Sequence, residues 1–270
     1  MNHKKRMKMK TIGFIGGGRI TKIFLQAFKN VNITFEKVSV FDTNNDVLSN
    51  LQAMFPSIHV TADDLAGVAK SDIIMIALHP PVIMETLTRI KDILNPGSII
   101  VSLAPKLTIA KMSAQLGGHT NIARMNPSAS TIVNRGVNPI CFSPEMSNEN
   151  KVKLSNLMSH LGNTPEVKES KIEAYAVITA MGHTYFFFQI QKLKELALSF
   201  GLGEEETQLA ITEMLYATGL TIFYSGLSYE EVADLIPVKP LGEVEETIKG
   251  YYDQYLNAIY NKIKPVAETV

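Results

Sequence analysis

Thr11-Ile12-Gly13-Phe14-Ile15-Gly16-Gly17-Gly18-Arg19-Ile20-Thr21 is the stretch that decides the fold. An apolar run (Ile12, Phe14, Ile15) passes straight into three glycines, and a helical pattern follows through Ile23, Phe24, Ala27 and Phe28. Strand, glycine turn and helix in that order are the context a dinucleotide site requires. Gly16 lets the chain turn tightly. Gly18 lets the backbone approach a pyrophosphate, whose charge then rests on the free N–H groups of the helix. Gly17, Arg19 and Ile20 complete the candidate cofactor-facing turn. Thr21 stands where the usual fingerprint has its third glycine, so helix and strand must pack with a slightly larger residue between them.

The next sixty residues supply the rest of such a site. Lys37 to Phe41 reads as a second strand and ends in Asp42, 24 residues after Gly18. An acidic residue there meets an adenosine ribose and favours NADH over NADPH, because it repels a 2′-phosphate. Arg19 is the counter-argument, and Asp42 also has a second role open to it, at the start of a helix beside Thr43, Asn44, Asn45 and Asp46. Ile73 to Leu78 and Ser98 to Leu103 are continuous apolar runs, as parallel strands buried on both faces require. Their ends, Ala77-Leu78-His79-Pro80 and Ala104, join the candidate cofactor residues.

The chain has 270 residues, is 46% hydrophobic and carries zero formal net charge. It can bury a sizeable core, and its neutrality argues against electrostatic binding of nucleic acid. Lys4, Lys5, Arg6, Lys8 and Lys10 read as a short basic tail ahead of the first strand, not as a signal sequence. No stretch approaches the roughly 18 uninterrupted apolar residues of a membrane helix. With Cys141 as its only cysteine, the chain has no internal disulfide and no thiol metal cluster. A cytoplasmic protein is expected. His59, His119 and His160 lack metal-ligand spacing and read as surface residues, so no metal is expected.

Alternating strands and helices to about residue 165, including strands at Asn121–Met125 and Asn138–Phe142, describe an α/β doubly wound parallel sheet. Beyond Lys171 only helices are predicted. Lys171–Phe200 is apolar around nearly its whole circumference and must be covered on all sides, with a partner subunit as the cover. Glu204–Tyr224 follows as a second helix. Ser228-Tyr229-Glu230-Glu231 is a capping box, and a stripe from Val244 to Ile263 marks a last helix. The expected domains are 1–165, which binds NAD(P), and 166–270, which is all-helical and carries dimerisation and substrate binding.

This organisation resembles the pyrroline-5-carboxylate reductase family over nearly the whole chain. Ile12-Gly13-Phe14-Ile15-Gly16-Gly17-Gly18 is similar to the family's opening I-G-F-I-G-x-G, and Ala77-Leu78-His79-Pro80 to its A-V-K-P. Arg124-Met125-Asn126-Pro127-Ser128-Ala129-Ser130 resembles R-V-M-P-N-T-P, and Glu169 matches the glutamate before the long helix. Thr179-Ala180-Met181-Gly182-His183-Thr184-Tyr185 lies where the family has S-G-S-G-P-A-Y. The family's T-S-P-G-G-T-T-like segment survives only as Pro237 to Val244, without its hydroxyls. The resemblance implies a Rossmann-type domain with a helical dimerisation domain and a homodimer or higher homo-oligomer. It also implies NAD or NADP as cofactor and a role in proline biosynthesis.

Reducing a protonated cyclic imine by hydride asks the protein mainly for orientation and a dry site. A ketone reducer needs a proton donor as well. Thr179, His183 and Tyr185 are the candidate catalytic residues, and packing within a buried helix is the competing role for His183 and Tyr185. Lys239 is either a substitute partner for a substrate carboxylate or an exposed loop lysine. The leading expectation is an NAD(P)H-dependent reductase of a small cyclic imine, pyrroline-5-carboxylate by resemblance. The alternatives are a reductase of a different imine or carbonyl compound, or a dinucleotide-binding protein without turnover. Met181 and Val244 occupy places of family hydroxyls, which predicts weak turnover of pyrroline-5-carboxylate.

Overall fold

The computed structural model describes residues 8–264. The strands are β1 (Lys8–Ile15), β2 (Thr34–Phe41), β3 (His59–Thr61), β4 (Ile73–Ile76), β5 (Ile99–Ser102), β6 (Ile122–Met125) and β7 (Ile140–Phe142). They form one sheet in the order β3-β2-β1-β4-β5-β6-β7. The first six are parallel, and the order reverses at β1 and β4, where a doubly wound sheet opens a crevice.

Alternation along β4 shows how the sheet is buried. Ile73 and Met75 join one apolar core with Phe14, Phe24 and Leu154, whereas Ile74 and Ile76 join another with Ile83, Ile100 and Met112. One core is covered by α1 (Arg19–Asn30), α2 (Asn45–Met54) and α6 (Asn148–Ser159). The other is covered by α3 (Leu65–Ala69), α4 (Pro80–Ile90) and α5 (Ile109–Gln115). Successive side chains of a strand point to opposite faces, so a run of isoleucines serves both layers.

Several expectations need correction. β1 starts at Lys8, so Lys8 and Lys10 belong to the strand and not to a tail; Lys4, Lys5 and Arg6 lie outside the described residues. β7 runs antiparallel to β6, with Ala123 opposite Phe142. The segment between them makes only a 3-10 turn (Ala129–Val133), and a parallel return needs a longer crossover, usually a helix. β3 has no apolar run to announce it.

The chain divides into two compact units. One runs to Met181 and resumes at Tyr260, and the other is Gly182–Ile259. The division falls later than residue 165 because the intervening segment is tied to the sheet. Val167 N–H donates to Ile140 O at 2.8 Å, and Ile172, Ala176 and Val177 are buried. Nor is Lys171–Phe200 one uniform α-helix: α7 (Ile172–Tyr175) gives way to a π-helical turn (Ala176–Ala180) before α8 (Gly182–Ser199). Such turns are frequent at functional sites.

The second unit packs α8 on α9 (Glu204–Tyr224). α10 (Tyr229–Asp234) opens with the expected box: Ser228 Oγ accepts from Glu231 N–H, and Glu231 Oε2 accepts from Ser228 N–H. α11 (Glu245–Ile263) returns the chain to the first unit. The unit leaves large aromatic side chains in solvent, Phe187 at 58%, Phe188 at 68% and Phe223 at 77% exposed.

Candidate dinucleotide site

The three glycines do three different things. Gly16 has φ +105°, and a Cβ there would lie 2.4 Å from Ala77 O. Only glycine fits, because the chain must turn while β4's end crowds it. Gly17 donates its N–H to Asp42 Oδ2 at 2.7 Å. Gly18 precedes α1 with ordinary backbone angles, is exposed, and has nothing within 4 Å of a built Cβ. α1 carries no side-chain cap and no acidic residue in its first turn, so its leading N–H groups suit an anion. Thr21 is fully buried and donates its hydroxyl to Gly16 O at 2.6 Å, tying the helix to the turn.

The structure gathers most of the candidate cofactor residues at this edge. Gly16 N–H donates to Phe41 O at 2.8 Å, and Ala77 N–H to Ile15 O at 2.8 Å. Leu78 is half-buried beside the turn, and a Cβ on Gly16 would lie 3.2 Å from its Cδ2. Arg19 is exposed and Ile20 half-buried at the start of α1. His79 is exposed ahead of α4, which Pro80 opens. Ala104 is buried beyond β5. Asp42 is not the cap of α2. Asn44 takes that place, accepting from the N–H groups of Asp46 and Val47, while Asp42 Oδ1 accepts from Asn44 N–H at 2.8 Å.

A buried ionic cluster at the end of β6 was not foreseen as a unit. Arg124 is fully buried, with Nη1 3.0 Å from Glu169 Oε1 and Nη2 2.6 Å from Glu173 Oε1. Burial works against its charge, but the two carboxylates outweigh it and hold the guanidinium protonated. The same oxygens accept from the loop after β5: Lys106 N–H reaches Glu173 Oε1 at 3.3 Å, and Ile109 N–H reaches Glu169 Oε1 at 2.8 Å. Lys106 has φ +71°, unusual for a residue with a side chain, so this loop is held in a strained shape. An arginine inside an apolar strand was the available signal, since a buried charge demands a partner.

The candidate catalytic residues fall in both units. Thr179 belongs to the first, in the π-helical turn, and its hydroxyl donates to Tyr175 O at 2.8 Å. His183 and Tyr185 belong to the second. The His183 ring stacks on Phe187, and Tyr185 meets Tyr252 edge-on at 5.9 Å between centroids. Tyr185 lines a cavity of about 510 Å³ with Phe188, Ile248, Tyr251 and Tyr255. Burial, then Tyr252, push its hydroxyl pKa up, so it stays protonated at neutral pH.

Lys239 and Val244 are exposed. His59 and His160 are exposed too, but His119 is half-buried, with Nε2 2.9 Å from Ser98 O, so its role is structural and not that of a surface residue. Cys141 is buried, and desolvation with the Glu169 carboxylate pushes its thiol up to about 12, leaving it uncharged. A cavity of about 1070 Å³ lined by Ile109, Cys141, Phe142 and Glu166 brings none of the candidate residues together. Among the described residues no group of three His, Cys, Asp or Glu side chains is placed to hold a metal. Among them, too, no helix is long and apolar enough to cross a membrane.

A glycine turn, an uncapped helix and a strand-end carboxylate at the switch point of a doubly wound sheet define the class of a nicotinamide-dinucleotide oxidoreductase. Residues 11–106 match the family model described as NADP oxidoreductase coenzyme F420-dependent. The pyrroline-5-carboxylate reductase of Methanosarcina acetivorans is 22% identical over 247 residues, covering 91% of this chain and 90% of its own. That of Pseudomonas aeruginosa is 22% identical over 274 residues, covering 97% and 98%. A Plasmodium falciparum pyrroline carboxylate reductase structure with NADP bound aligns at TM-score 0.78 and 19% identity, covering 95% of this chain and 97% of that one. The chain is thus similar to pyrroline-5-carboxylate reductases over nine-tenths or more of its length, and it shares their fold.

Proposed function

We propose that this protein is an NAD(P)H-dependent reductase of a small cyclic imine, with pyrroline-5-carboxylate, reduced to proline, as the substrate implied by its relatives. The observation that carries this reading is the open side of Gly18 at the uncapped end of α1. Those features fit a dinucleotide, whose nicotinamide supplies the hydride when bound. The N–H groups of α1 hold the pyrophosphate, and Asp42 faces the ribose. Ala77, Leu78, His79, Pro80 and Ala104 border the ring. Thr179, His183 and Tyr185, contributed in a homodimer by the partner subunit, supply hydrogen-bonding groups toward the substrate, and an imine already protonated needs nothing stronger.

A second reading, a different imine or a carbonyl substrate, is favoured by the exposed Lys239 and Val244 where the family's hydroxyl-rich segment would be. For a carbonyl, the Tyr185 hydroxyl is the candidate proton donor. NADH and NADPH oxidation against a panel of cyclic imines and 2-oxo acids tests both. Activity with none of the imines defeats the first reading. For pyrroline-5-carboxylate itself kcat/KM is expected below about 10⁴ per molar per second, and a higher value would show the substitutions to be tolerated.

NADH is expected to bind more tightly than NADPH, because the Asp42 carboxylate repels a 2′-phosphate. Equal or tighter NADPH binding by calorimetry refutes this. The exposed aromatics of α8 support a homodimer, since leaving them in water is unfavourable by about 25 cal/mol per square ångström of apolar surface. Light scattering at micromolar concentration should give twice the monomer mass; the monomer mass would sink the idea. A cytoplasmic location accords with this reading.

A further inference from the structure

We infer that the side-chain amide of Asn126 is the donor that receives the carboxamide oxygen of the nicotinamide ring, an inference that rests on the dinucleotide reading above. Register places it. Ile15 pairs with Ile76, Ile76 with Ser102 and Ser102 with Arg124. Two residues further along each strand direction stand Gly17, Leu78, Ala104 and Asn126. Asn126 therefore occupies the same level beyond the sheet's carboxyl edge as the cofactor residues, one strand past Ala104.

Its side-chain nitrogen carries an unmet donor. Asn126 Nδ2 is buried and has no hydrogen-bond partner among the described residues. The backbone is fixed meanwhile, its N–H donating to Pro139 O at 3.1 Å. Arg124 Nε and Glu173 Oε2 are also buried and unpaired, but those groups are already bound through their other atoms. A buried amide nitrogen with two hydrogens and no acceptor is costly unless something supplies one. A neutral amide donor suits the neutral oxygen of a carboxamide. The family motif R-V-M-P-N-T-P has methionine at this position, so the donor is this chain's own.

Calorimetry on the full chain with NADH and with ADP-ribose, which keeps adenosine and pyrophosphate but lacks the ring, isolates this contact. Asn126→Met should weaken NADH binding about five- to tenfold and leave ADP-ribose binding unchanged. The unliganded variant should melt no lower than wild type, because the orphaned amide is gone. Equal weakening of both ligands, or of neither, overturns the inference. If Asn126→Met does not fold, Asn126→Ser carries the same comparison. Wild-type protein that binds neither ligand overturns the dinucleotide reading itself, and this inference with it.

Discussion

Gly18→Val should abolish dinucleotide binding, by at least about 100-fold, in a protein that stays folded. A built Cβ at Gly18 meets nothing within 4 Å and the backbone there is extended, so the chain has no quarrel with a side chain. Melting should shift little, as for a surface substitution away from packing. The valine methyls would instead fill the space a pyrophosphate needs. Gly16→Ala should behave in the opposite way. Its φ of +105° and the Ala77 carbonyl 2.4 Å from a Cβ make that variant unstable by more than about 1 kcal/mol, ligand or none. Calorimetry beside thermal melts separates the two cases. Normal binding by Gly18→Val would mean that the dinucleotide site has been placed wrongly.

Arg124→Met should cost about 3–5 kcal/mol, lowering the melting temperature by roughly 10 °C. The guanidinium is fully buried, and so is Glu173, whose side chain is 1% exposed. Removing the cation strands a carboxylate in the interior, where its desolvation is no longer offset. Glu169 is a third exposed and water can screen it, so most of the loss comes from Glu173. Combining Arg124→Met with Glu173→Gln removes the stranded charge yet keeps an acceptor for Lys106 N–H. The double variant should therefore melt higher than the single one. A single variant as stable as wild type, or a double variant no better than the single, would show that the ion pair does not govern stability here.

Local signals were legible and distant pairings were not. β1, the glycine turn and α1 could be read together because turn residues and periodicity sit within twenty residues. β4 and β5 were plain because a strand buried on both faces must be apolar throughout. Glu204–Tyr224 emerged with its expected bounds, framed by Gly203 and Ser225. β3 escaped because three edge residues carry no periodicity. The antiparallel β7 escaped because strand direction depends on the connection's shape and not on the strand's composition. The π-helical turn leaves the apolar pattern of its helix nearly intact. Arg124 and Glu173 lie 49 residues apart, and nothing local in either stretch names the other. Asn126 reads as one letter of a motif, and only the lack of a partner for its Nδ2 among the described residues sets it apart.

Asp42 carries a constraint on how this chain can change. One carboxylate oxygen grips Gly17 and the other Asn44, so the side chain braces the turn and the start of α2 before any ligand arrives. Trading it for a smaller or basic residue to recruit a phosphorylated ribose would remove two braces along with one negative charge. If Asp42 sets the cofactor preference as proposed, that preference and the turn geometry are inherited together. A lineage drifting from one dinucleotide to the other would need a compensating acceptor for Gly17 N–H first, which makes the order of substitutions matter as much as their identity.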